Sequence, residues 1–289
     1  SYFSKKNYHV IGFEPSLNVA NIARKKKLKV ISKFFNYKNV SKFKKMKNNI
    51  NLICAANVIC HIPDLKDLIK SLDFLLSKKG LFIFEEPYLG AMFKKVSYDQ
   101  IYDAHVFIFS LHSIKTIFKD YGFDLINCMP QKTHGGSMRY VLARKNVYKV
   151  KSNVGKFLNK EKKAKLNKFS SCLKFKNDCE KSKKKFRQKI LNLKKNGKTI
   201  CGYAASAKST TALNYCKINH NHIEYIVDST KEKIGKFTPG THIPIKSPNY
   251  FKKNYTNFAI LNSWNHRDEI LKKEYKFIKR GGKWISHVK

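Results

Sequence analysis

Lys198-Thr199-Ile200-Cys201-Gly202-Tyr203-Ala204-Ala205-Ser206-Ala207-Lys208-Ser209-Thr210-Thr211 is the stretch on which the fold turns. An apolar run of strand length gives way to a turn of small residues and then to the head of a helix. Small side chains leave backbone N–H groups open, a helix start favours anions, and Lys208 adds a full positive charge. The G-x-x-x-x-G-K spacing of a P-loop is missing. Further on, Ile223–Val227 is predicted as a second strand ending at Asp228, where an acid reads ribose hydroxyls in nucleotide-binding sheets. Phe258–Leu261 and Lys283–Val288 supply further strands, the last after Gly281-Gly282. Residues 197–289 are therefore expected to form a nucleotide-binding-like α/β unit of open ligand.

The same alternation recurs at the other end of the chain. His9-Val10-Ile11-Gly12-Phe13-Glu14-Pro15 reads as a short buried strand ending in an acid. Ser16 is placed to cap a helix over 18–27 with Val19, Ile22 and Ala23 on one face, and strand character returns over 28–35. Glu14 stands where an acid binds two ribose hydroxyls; by itself it is equally a surface Glu at a strand end. Residues 51–60 predict a buried strand broken at His61-Ile62-Pro63-Asp64, with Asp64 capping a helix over 65–76. Because ligands in open α/β sheets bind beyond the carboxyl ends of strands, Asn57 and His61 lie where a ligand would. A strand over 80–85, a helix over 111–121 stopped by Gly122, and strands over 123–129 and 137–144 complete this half. Between the last two sits His134-Gly135-Gly136-Ser137-Met138-Arg139, either a plain turn or a backbone that lets a ligand come close, with Arg139 able to pair an anion.

Composition sets limits on function. A chain of 289 residues can bury two cores, and 42% hydrophobic content argues against disorder. No apolar run approaches a membrane span, and no signal-peptide layout opens the chain. The start at Ser1, directly before a strand-like pattern, predicts a piece lacking its N-terminal part. The net charge of +41 suggests nucleic acid, but only six of the 60 basic residues are Arg, the better fork for bases and phosphates. Attraction to an anionic small substrate uses the same field, and no specific nucleic-acid partner is expected. Seven cysteines (54, 60, 128, 172, 179, 201 and 216), without a C-x-x-C pair, fit a reducing, cytoplasmic setting with no metal site. Cys54, Cys60 and Cys201 fall in apolar runs and are expected in cores. Residues 146–196 are dense in Lys with spaced apolar residues, which predicts amphipathic connecting helices with a solvated face.

One cluster has more ionisable groups than a core strand needs: Tyr98-Asp99-Gln100-Ile101-Tyr102-Asp103-Ala104-His105, running into Val106-Phe107-Ile108-Phe109. With Phe84-Glu85-Glu86-Pro87-Tyr88-Leu89, Gly12-Phe13-Glu14-Pro15-Ser16, Asn57-Val58-Ile59-Cys60-His61-Ile62-Pro63-Asp64 and the H-G-G-S-x-R string, it resembles the sugar C-methyltransferase family. The strings G-Y-A-A-S-A-K-S-T-T-A-L-N-Y, P-G-T-H-I-P-I and W-N-H-R-D-E-I, in this order, are similar to that family's C-terminal domain. The resemblance implies a class I methyltransferase, Rossmann-like α/β domain over 1–145, N-terminally truncated, with neither the cofactor glycine loop nor the zinc-binding domain. It implies a Lys-rich helical connector over 146–196 and a second Rossmann-like domain over 197–289. It further implies S-adenosyl-L-methionine as cofactor, bound by Glu14, Pro15 and Asn57, and a nucleotide-linked keto-deoxysugar bound by His134, Gly135, Gly136, Arg139 and Lys208.

In the chemistry so implied, His105 removes the acidic proton beside a ketone while His61 and Tyr102 donate hydrogen bonds to the enolate oxygen. The family's Tyr-x-Glu-His cluster is altered here: Ala104 stands at the Glu position, so Asp99 or Asp103 would have to orient the imidazole. Three readings follow. The chain is a C-methyltransferase, or an impaired or non-catalytic member that binds a nucleotide-like ligand, or, least favoured, a basic nucleic-acid-associated protein.

Overall fold

The computed structural model describes residues 3–6 and 8–288, which form two compact units. One comprises Ser1–Glu85, Ser113–Cys128 and Arg139–Gly155; the other comprises Glu86–His112, Met129–Met138 and Lys156–Lys289.

The first unit opens with a βαβ crossover: β1 (Gly12–Phe13), α1 (Leu17–Lys25) and β2 (Val30–Ile31), the strands parallel. The short α2 (Tyr37–Val40) leads to β3 (Ile50–Ala56), α3 (Leu65–Leu75) and β4 (Leu76–Pro87). Asp64 caps α3 by accepting the Asp67 N–H at 2.9 Å, as its spacing predicts. Leu68, Ile69, Leu72 and Leu75 form the helix's buried face. Phe82 and Phe84 stack at 4.9 Å, and Phe84 stacks on Tyr140 at 4.8 Å. The chain then runs through α4 (Leu89–Lys95), which belongs to the second unit, and α5 (Leu111–Lys119), after which β5 (Phe123–Gln131) and β6 (Ser137–Arg144) complete a sheet of order β3-β4-β6-β5.

Three expectations for this unit are corrected. The stretch 9–15 is not a buried strand: β1 is confined to Gly12–Phe13, and Val10 and Ile11 are 36% and 44% exposed. Residues 51–60 are not a buried strand: β3 is an edge strand, so Leu52 is 39% exposed and Cys54 is exposed instead of sitting in a core. Likewise Val19 and Ile22 of α1 are 50% and 56% exposed, and Ala20 is the residue it buries. A periodic apolar face is buried only where another layer covers it.

The second unit continues through α6 (Ser152–Lys163) and α7 (Phe169–Lys195), then β7 (Ile200–Tyr203), α8 (Ala207–Tyr215), β8 (Ile226–Val227), β9 (Ile245–Lys246), α9 (Pro248–Lys253), β10 (Phe258–Leu261), α10 (Arg267–Lys273), α11 (Tyr275–Lys279) and β11 (Lys283–Ile285). The sheet is parallel throughout, ordered β11-β10-β7-β8-β9. Its order reverses between β7 and β10, the kind of switch point at whose carboxyl ends open α/β sheets bind ligands. Cys179, Phe186 and Ile190 of α7 join Ile200, Leu213, Ile226 and Ile260 in one core cluster. The connector thus buries an apolar stripe, as its pattern predicts.

Candidate active site

The cluster at 98–105 splits into an anchored half and a presented half. Ser97, Tyr98, Asp99 and Gln100 are all buried. Tyr98 lies against Cys216 (Oη to Sγ 3.3 Å), and burial pushes its hydroxyl pKa well up. Asp99, 0% exposed, accepts the Trp264 Nε1–H at 2.7 Å and lies 3.5 Å from His287 Nε2. These side chains tether the loop to the α/β core of their own unit.

Beyond the tether the chain turns outward, and Tyr102 and His105 come together. Tyr102 Oη lies 2.7 Å from His105 Nε2, their rings 4.0 Å apart, and His105 Nδ1 lies 2.8 Å from the Gln100 carbonyl oxygen. A carbonyl oxygen only accepts, so Nδ1 carries the proton, and in neutral imidazole Nε2 is the basic nitrogen accepting from Tyr102. Neither acid proposed from sequence takes the missing Glu's place. Asp99 is committed to Trp264, and Asp103 is exposed with no bond to the imidazole. The orienting group is a backbone carbonyl, invisible to any reading of side chains.

The His134-Gly135-Gly136 turn is packed closely within its own unit. Gly135 has φ +83° and Gly136 +127°, both in the region that favours glycine, but what comes close is protein. A Cβ on Gly135 would lie 1.9 Å from a ring carbon of Trp264, and one on Gly136 would lie 2.6 Å from the Ala91 methyl. His134, half-buried at φ +50°, begins the turn. Lys95 closes it, donating from Nζ to the Gly135 carbonyl at 2.6 Å.

Two ammonium groups converge on the indole of Trp264: Lys95 Nζ at 5.4 Å and Lys208 Nζ at 5.3 Å from the ring centroid. Lys208 follows Ser206, whose side chain accepts the Ser209 N–H while the Ser209 hydroxyl accepts from Ser206 N–H, a capping box that fixes the start of α8. The buried Lys208 Nζ has no hydrogen-bond partner, and burial lowers its pKa against the opposing pull of Asp99. Asp228 is not left open for a ribose: its carboxylate accepts from the Ala205 and Thr230 N–H groups, both at 2.8 Å. Sequence reading missed Lys95 and Trp264 as part of this cluster. The signal was there for Trp264, which opens the W-N-H-R string.

In the first unit, Glu14 follows β1, its carboxylate half-buried and accepting the Ser16 N–H at 2.9 Å through Oε1 alone. Pro15 next to it is exposed. Asn57 follows β3 at φ +53°, its N–H bonded to the Glu85 carbonyl at 2.8 Å and its buried Oδ1 without a partner. His61 closes a 3₁₀ turn and is exposed. Arg139 does not wait for an anion: its Nη2 and Nε donate to Glu85 Oε2 at 2.8 and 3.2 Å.

Comparison with known proteins completes the picture. A model described as the C-methyltransferase C-terminal domain matches residues 132–288, and a methyltransferase domain model matches residues 1–127. The C-methyltransferase NovU of Streptomyces niveus is 28% identical over 284 residues, which is 98% of this chain and 68% of NovU. Among solved structures, a SAM-dependent methyltransferase of Anabaena variabilis matches at TM-score 0.39 and 18% identity, covering 50% of this chain and 71% of its own. Another from Aquifex aeolicus matches at TM-score 0.35 and 11% identity, covering 46% and 67%. Among the described residues, no helix is long and apolar enough to cross a membrane. With a C-methyltransferase family model spanning more than half of its length, the chain belongs to that family, as an S-adenosylmethionine-dependent C-methyltransferase of class I, Rossmann-like α/β fold.

Proposed function

We propose that the chain methylates a carbon beside a ketone in a nucleotide-linked deoxysugar, through an enolate generated by His105. The observation that carries the proposal is the Tyr102–His105 pair, with Nδ1 held by the Gln100 carbonyl and Nε2 turned to a phenol. S-Adenosylmethionine, when bound, supplies an electrophilic methyl group for the enolate carbon. Glu14 and Asn57 suit that cofactor: each follows a parallel strand, Glu14 with a second carboxylate oxygen for ribose hydroxyls and Asn57 with an unpartnered buried amide oxygen.

The rest is done by side chains. His105 Nε2 takes the proton from carbon, and the C–H electron pair passes into the carbonyl, leaving charge on oxygen. The Tyr102 O–H, which rests on Nε2, turns to that oxygen and stabilises the charge. The Gln100 carbonyl keeps Nδ1–H in place, so the ring gains its proton without changing tautomer. His61 is carried forward as a second donor on the family resemblance alone. Lys208 and Lys95 beside Trp264 suit the diphosphate of a nucleotide-linked substrate, with Lys208 still lacking a partner. His134 and the two glycines shape that cluster, and Arg139, pinned to Glu85, adds charge nearby in sequence only. Seven cysteines without a C-x-x-C pair support a reducing, cytoplasmic setting.

The test is transfer of labelled methyl from S-adenosylmethionine to a panel of nucleotide-linked keto-deoxysugars. Product with the new methyl beside the ketone is expected, and His105→Gln should lower kcat by roughly 10²–10⁴-fold. Unchanged turnover in that variant would overturn the assignment.

A further inference from the structure

The loop that carries Tyr102 and His105 leaves the body of its unit at Tyr88 and returns at Leu111. Its two ends meet: Tyr88 and Phe109 form a parallel β-bridge, and the Leu89 N–H donates to the Phe109 carbonyl at 2.9 Å. Across this junction lies one carboxylate. Glu161, the sole acid of the Lys-rich helix α6, is 4% exposed and has no cationic partner among the described residues. Its Oε1 accepts from Tyr88 Oη at 2.9 Å and from the Leu111 N–H at 2.7 Å, and its Oε2 accepts from the His112 N–H at 2.9 Å.

A carboxylate buried without a counter-ion is costly unless donors surround it, and here three do. All three belong to the loop's ends. Leu111 and His112 begin α5, whose first N–H groups have no partner within the helix and whose N-terminal field favours a negative charge. Glu161 therefore caps α5 from another helix while gripping the outgoing strand through Tyr88. The Tyr88 N–H donates in turn to the Gly136 carbonyl at 3.1 Å, so the same junction also fixes the glycine turn.

We propose that Glu161 is a positioning residue for the Tyr102–His105 pair: by clamping both ends of loop 88–112, it sets where the loop presents the base. The proposal rests on the reading of His105 as the base. It gives α6 a part in the chemistry that its Lys-rich, solvated surface does not announce.

The test is methyl transfer by the full chain carrying Glu161→Gln, Glu161→Ala or Tyr88→Phe, with amide hydrogen exchange followed over residues 89–110. Glutamine keeps the Oε1 acceptor but turns an N–H₂ toward His112 N–H, so it should lose part of the effect, and alanine all of it. Kcat is expected to fall by up to about 10²-fold in Glu161→Ala, since a misplacement near 1 Å costs that much. Glu161→Gln and Tyr88→Phe should fall in between, with KM for both substrates within twofold and faster exchange confined to the loop. Wild-type kcat per folded molecule in Glu161→Gln and Tyr88→Phe, with slow exchange, overturns the proposal even if Glu161→Ala fails to fold. Loss of activity with an equally raised KM overturns it too. If His105→Gln itself leaves methyl transfer intact, the reading of His105 fails first.

Discussion

Replacing Gly135 by alanine tests whether the His134-Gly135-Gly136 turn is built against Trp264. Two costs are expected. At φ +83° a Cβ is strained, at about 1–2 kcal/mol, and the added methyl must also displace the indole, at about 1–3 kcal/mol for overpacking. Gly235 provides the control. Its φ is +85°, it lies in the same unit, and nothing stands within 4 Å of its would-be Cβ, so Gly235→Ala pays only the conformational part. The gap between the variants should therefore be about 1–3 kcal/mol. Urea unfolding followed by tryptophan fluorescence reads it directly, because both tryptophans, Trp264 and Trp284, lie in this unit. In a Trp264→Ala background the gap should close, since the colliding ring is gone. Equal costs for Gly135→Ala and Gly235→Ala in the wild-type background would refute the packing of the turn on Trp264.

Further expectations concern the cores and the lysine. Tyr203→Phe strands the Glu274 carboxylate, 1% exposed, that accepts the phenol at 2.7 Å, and should cost about 1–3 kcal/mol in the same unfolding assay. Leu72→Ala, at a fully buried position of α3, should cost about 2–5 kcal/mol by calorimetry. Burial lowers the Lys208 pKa from 10.5, so the unfolded chain holds that proton more tightly and the charge costs stability below the folded-state pKa. Lys208→Met should accordingly be the more stable protein at neutral pH, with the difference shrinking as pH rises toward 10.5, while diphosphate binding weakens. Alkylation of the native protein followed by mass spectrometry should label exposed Cys172 first. Cys201, 0% exposed with its thiol pushed up to about 12 by burial, should react only on unfolding.

Much of the fold was legible because local chemistry and periodicity agreed. Asp64 before a leucine stripe gave α3, Gly122 stopped α5, and the small-residue turn after Tyr203 gave β7 and α8. The exposure of Leu52, Val19 and Ile22 was not legible, since burial depends on which layer covers a face and not on the face itself. The site divides the same way. Tyr102 and His105, three residues apart, were found and do meet. The group that orients His105 is a main-chain oxygen, and the partners of Asp99 and Glu161 lie far off in sequence, where no spacing rule reaches.

If His105 removes a proton from carbon, solvent deuterium exchange isolates that step from methyl transfer. A nucleotide-linked keto-deoxysugar is incubated in D₂O with the chain and S-adenosylhomocysteine, and NMR follows the C–H signal beside the ketone. Exchange is expected in the wild-type protein, with its loss in His105→Gln and a slower rate in Tyr102→Phe. Exchange that persists undiminished in His105→Gln, or methyl transfer by that variant at the wild-type rate, would contradict the assignment of His105 as the base.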